Sequence, residues 1–207
     1  MSKISLEPNA SGAGTFSIVS PDSNTNRTLT LPDASGSIVA ADASTGRFDS
    51  SNMPAGSVIQ VVSTTKTDRF AATLDAGTNI EIPGLEQSIT PVSESSNILI
   101  VAQVAVFGTR SSIGIVLKRG SNFIARGDSG LNNRQTAGGW TGANANAGFT
   151  TMFNHLDTPA TTANITYKIN VSNLRTSSNT ITVGQFSGEN VRTASGISTI
   201  TLMEIAG

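Results

Sequence analysis

The chain has one histidine, His155, in the stretch FNHLDTP, so any Ser-His-Asp relay would have to run through it. Asp157 follows two positions later, which on a strand puts both side chains on the same face. A strand-end or loop histidine is the simpler expectation. Glycosidic-bond cleavage needs two carboxyl groups about 5 to 9.5 Å apart. The acids available for it, Glu94, Asp128, Asp157 and Glu189, are scattered, and spacing alone brings no two of them together. The glycine-rich GAGTFS at 12–17 has neither the strand-loop-helix context nor the lysine of a phosphate loop, and reads as a flexible turn. ARGD at 125–128 matches a cell-adhesion tripeptide, but a hairpin corner accounts for Gly127. Sequons at Asn9, Asn26, Asn164 and Asn170 mean glycosylation only on a eukaryotic secretory route. There is no cysteine, so disulfides and thiolate metal sites are excluded. On a threefold axis one Asp, Asn or His per chain would become three metal ligands, but the sequence singles out no residue for that role. These residues predict no catalytic centre, no metal and no cofactor.

Binding chemistry has a better candidate. The segment DSGLNNRQTAGGWTGANANAG at 128–148 surrounds the only tryptophan, Trp140, with small polar residues and reads as a long surface loop. An aromatic face can stack on a pyranose ring while amides bond its hydroxyls, so Trp140 with Gln135, Asn144 and Asn146 forms a candidate sugar-binding set. The competing expectation is that Trp140 plugs a subunit interface or one end of the domain.

The elements that must position these residues are strands. Charged residues make up 13% of the chain, against about 25% in an average soluble domain, and 13 basic side chains face 14 acidic ones without runs of either sign. Nucleic acid is therefore disfavoured as a partner. No apolar run reaches the length of a membrane helix, and MSKISLEPNASGAG lacks the apolar core of a signal peptide, so a protein made in a cytoplasm, with no membrane insertion, is expected. Period two dominates the hydrophobic pattern. In NITYKINVSN it puts Ile165, Tyr167, Ile169 and Val171 inward and Thr166, Lys168 and Asn170 towards water. NILIVAQVAVFG is apolar on both faces, which predicts a central strand or one buried by another subunit. Further strands are expected within 57–66, 79–91, 112–128, 179–186 and 198–206, with turn signals such as RGSN and SGEN separating or bending them. This is an all-β pattern. It predicts an antiparallel, jelly-roll-like β-sandwich over residues 57–207, preceded by a small-residue linker at 41–56 and a separate segment at 1–40.

The N-terminal segment contains short alternating stretches whose candidate buried residues are Ile4, Leu6, Phe16, Ile18, Leu29, Leu31 and Ile38. Burying so few side chains falls short of the conformational entropy of ordering about forty residues without a disulfide or metal. Copies that pair these strands around a common axis would supply the missing face. The expectation is a homotrimer with an intertwined β-prism or short shaft, and Phe16, Ile18, Leu29, Leu31 and Ile38 in the trimer interface.

GTFSIVSPDSNTNRTLTLPDASGSIV at 14–39 resembles a repeat in the fibre proteins of tailed bacteriophages, with TNRTLTLPD following the turn. GSVIQVVSTTKTDRF, GLEQSITPVSESSNILI and STITLMEIAG resemble the β-rich heads of fibre and decoration-like proteins of marine and freshwater phages. The resemblance implies a virion component: a short trimeric fibre whose N-terminal segment docks to other virion proteins and whose knob contacts a host surface glycan. A capsid decoration or cement protein is the alternative, and a polysaccharide-degrading tail spike is the second.

Overall fold

The computed structural model describes residues 11–15, 22–26, 28, 53–108, 112–128, 135–140, 147–185 and 195–207. The chain divides into two units, Met1–Ile38 and Val39–Gly207. Phe16, Ile18, Leu29, Leu31 and Ile38 lie outside the described residues, as do the expected prism and trimer contacts built on them.

In the second unit the period-two pattern folds into eleven strands, with no helix among the described residues. They are β1 (Val58–Lys66), β2 (Phe70–Leu74), β3 (Asn79–Ile89), β4 (Asn97–Gly108), β5 (Ile113–Arg119), β6 (Asn122–Ile124), β7 (Gly138–Trp140), β8 (Ala147–Asp157), β9 (Ile165–Asn173), β10 (Asn179–Val183) and β11 (Ser198–Ile205). All pairings are antiparallel. One sheet runs β1-β11-β4-β8, with β10 and β2 continuing from the far end of β4. The other runs β3-β9-β5, and β6 and β7 share the free edge of β5. Taken over β1, β3, β4, β5, β7, β8, β9 and β11, this is the strand order of a jelly roll.

The core lies between the two sheets. β4 and β11 contribute Ile98, Ile100, Val104, Val106, Ile200 and Leu202, and the facing sheet contributes Ile82, Leu85, Ile115, Leu117, Ile169 and Val171, all fully buried. β4 is central as expected, paired along one edge by β11 and β10 and along the other by β8. The abundance of serine and threonine is used between strands. Ser63–Thr201, Thr73–Thr180 and Ser88–Thr166 are cross-strand hydroxyl pairs, each at 2.8 Å, so uncharged side chains satisfy one another where Lys and Glu would otherwise meet water.

Four expectations need correction. The stretch 128–148 is not all loop: Gly138–Trp140 is a strand, where Gly139 allows the chain to run close beside β5 and Gly138 lies against Thr151 of β8. Asn170 does not face water. It is 4% exposed, and its Nδ2 donates to Asn79 Oδ1 at 2.8 Å on the edge strand β3. Besides β7, the strands β2 and β8 lie where the alternation predicts none. The corner near ARGD falls at Ala125 (φ 53) and not at Gly127, whose N–H and carbonyl bond to Thr136 and Gln135 instead.

Candidate functional site

The β5–β6 hairpin turns through Gly120 and Ser121. Gly120 (φ 58) takes the first turn position, where a side chain would be strained, and its N–H donates to Thr166 O at 2.8 Å. This anchors the hairpin tip beside the start of β9. Between the tip, β9 and the 159–164 connection lies an open cleft of about 720 Å³. Its polar groups come from Lys118, Ser121, Asn122, Thr161, Asn164 and Lys168, with Glu81 at one side.

Register explains the electrostatics. Lys118 stands directly opposite Lys168, a repulsive cross-strand pair. Glu81 at 2.9 Å and Glu86 at 3.4 Å neutralise Lys168, and the bond to Glu81 is the main cause of raising its ammonium above the usual lysine range. Among the described residues Lys118 has no carboxylate partner. Its Nζ lies 4.8 Å from the centre of the Phe123 ring, and the Arg126 guanidinium is 5.1 Å from the same ring. The cleft therefore offers one uncompensated ammonium, several hydroxyls and amides, and a nearby aromatic ring that is 41% exposed.

Arg119 lines the base of the cleft and holds Asp157 of β8 through Nη1, at 3.2 and 2.9 Å from the two carboxylate oxygens. Tyr167 completes the group, its hydroxyl donating to Asp157 Oδ2 at 2.6 Å. Burial first, then the bond to Asp157, keeps the Tyr167 phenol protonated well above its usual range. Asp157 is thus fully engaged in joining the two sheets. His155, two positions earlier, lies half-buried on β8. Glu94 and Asp128 are exposed, and Glu189 lies outside the described residues. Among the described residues no three His, Asp or Glu side chains converge to hold a metal.

Trp140 ends β7 in register with Ile113, Gln135 Nε2 donates to Gly127 O at 2.8 Å, and Asn144 and Asn146 lie outside the described residues. Sequence reasoning did not find the cleft. A signal was present in RGSN flanked by Lys118 and Phe123, but only the register of β5 against β9 places Lys118 beside Lys168.

No family model matches the chain. No curated protein matches it either. Among solved structures it is similar to the infectious bursal disease virus Gx strain structure, with 13% identity, a TM-score of 0.38, and coverage of 82% of this chain and 46% of the other. It is similar also to the VP2 subviral particle of that virus, at 11% identity and a TM-score of 0.37, covering 70% and 41%. The Gt strain structure gives 13%, 0.37, 85% and 48%. The chain spans less than half the length of each of these proteins. Scores this low do not establish a common fold.

Proposed function

We propose that this chain is a non-enzymatic virion structural protein, a short trimeric fibre of a bacteriophage whose sandwich is a knob that binds a host surface glycan. The single observation behind the binding role is the cleft, where hydroxyls, amides and an uncompensated ammonium converge on open space, while the carboxylates of Glu81 and Glu86 are both held by Lys168. Such a lining suits a hydroxyl-rich ligand, and Lys118 favours a carboxylate-bearing sugar. The virion assignment is supported by the sequence resemblance of residues 14–39 and of the sandwich strands to phage fibre and decoration proteins. The N-terminal segment would hold the chain to other virion proteins, and no cofactor takes part.

Purified protein incubated with host envelope glycans tests this reading. Binding without shortening of the glycan is the expected result, and Lys118→Ala should weaken it about 5- to 10-fold, the equivalent of about 1 to 1.4 kcal/mol. Shortening of the glycan would make the protein a spike enzyme. No binding at all would leave the capsid decoration reading in its place.

A further inference from the structure

We infer that the outward face of β8, β4, β11 and β1 is the surface by which three copies of this chain pack around a common axis. This rests on the proposed trimer but places the contact on the sandwich, on strands separate from the N-terminal segment. Register aligns Leu156, Leu99, Met203 and Val61 in one row across all four strands. Leu156 and Val61 are each 54% exposed, and Met152 further along β8 is 68% exposed. Val101 lies one row further in on the same face. None of the outward side chains on these four strands is Asp, Glu, Lys or Arg. A sheet face that stays in water normally carries charge, and the outward face of the other sheet does so with Glu86, Lys168 and Lys118. An apolar centre with an uncharged polar surround such as Ser63 and Thr201 is the anatomy of an interface core and its rim.

The dimensions favour three copies. Four strands about 4.8 Å apart make a face about 19 Å wide, and about ten residues at about 3.4 Å each make it about 34 Å long. Two such faces bury about 1,300 Å², within the range of about 1,200 to 2,000 Å² for stable interfaces. A triangle about 19 Å on a side has an inscribed radius of about 5.5 Å, close to half the roughly 10 Å spacing of packed sheets. Side chains from three faces therefore fill the axis without a void. Within this unit β1 and β8 bound the face, so β8 of one copy comes beside β1 of the next.

The absence of cysteine gives a direct test in the full chain. Leu156→Cys and Val61→Cys are placed together in one chain, treated with a short bifunctional maleimide and run on a denaturing gel, with Val61→Cys combined with Thr161→Cys, beside the cleft, as control. The Leu156→Cys, Val61→Cys chain should give cross-linked chains in at least tenfold higher yield than the control, and adding Met203→Lys and Met152→Lys should cut that yield at least fivefold. Equal yields from face and control positions, or a yield that the lysines leave unchanged, would overturn the inference. Circular dichroism of each variant reports folding. Glycan binding is read separately, so loss of the contact and loss of the cleft's function remain distinguishable.

Discussion

At the scale of the residue, Asp157, Arg119 and Tyr167 form the group in which charge, burial and hydrogen bonding act together. Asp157→Ala strands a guanidinium and a fully buried hydroxyl at once. Breaking a buried pair costs about 3 to 5 kcal/mol, and the partial exposure of Arg119 favours the lower end, so a loss of about 3 kcal/mol is expected in urea unfolding with an unchanged m-value. Tyr167→Phe removes one bond to a charged acceptor and should cost about 2 kcal/mol. The phenol also sets a pH dependence. Its folded pKa lies above the unfolded value of about 10, so the unfolded chain releases this proton first and stability falls as pH rises past about 10. Tyr167 is the only tyrosine, so near-ultraviolet phenolate absorbance reads it alone. The absorbance should rise only as the protein unfolds, and Tyr167→Phe should flatten the alkaline fall in stability.

At the scale of the element, the strands are held as much by small contacts as by apolar burial. Asn173 Nδ2 donates to Ser177 O and shares its other hydrogen between the carbonyls of Leu74 and Asp75, and its Oδ1 accepts from Arg175 N–H, which ties the β2–β3 turn to the β9–β10 turn. Gly139 lets β7 lie against β5, since a Cβ there would sit 2.6 Å from Ile113 O. Gly139→Ala should therefore push β7 away and cost about 1 to 3 kcal/mol, seen as a lower urea midpoint and faster amide exchange at Ala137, whose N–H bonds to Ile115 O. The strands that were legible in the sequence are those with large inward residues at every second position, such as β4, β9 and β11. β8 was not legible. Only Phe149 and Phe153 are large and inward, while Met152 and Leu156 on the outward side blur the alternation.

At the scale of the whole molecule, the two units differ in how far the sequence alone supports them. The sandwich has a continuous core between paired sheets and should keep a single cooperative unfolding transition in a chain that starts at Met53. A peptide of residues 1–40 has too few apolar side chains to fold by itself, and circular dichroism should show no cooperative transition for it. The sandwich itself is two-sided, with a charged and cleft-bearing outer face on one sheet and a neutral, apolar outer face on the other. Under the proposed function and the proposed interface, that division would give sister copies one side of the domain and the ligand the other.

The sequence by itself determined the all-β class, most of the strands, the two-faced apolar character of β4 and the lack of cysteine chemistry, because each is carried by local composition or by a period of two. Only the tertiary structure decided the strand order, the engagement of Asp157 with Arg119 and Tyr167, the meeting of Lys118 with Lys168, and the apolar row from Leu156 to Val61. Each of these joins residues on different strands through antiparallel register, and register follows from how the two faces bury against each other.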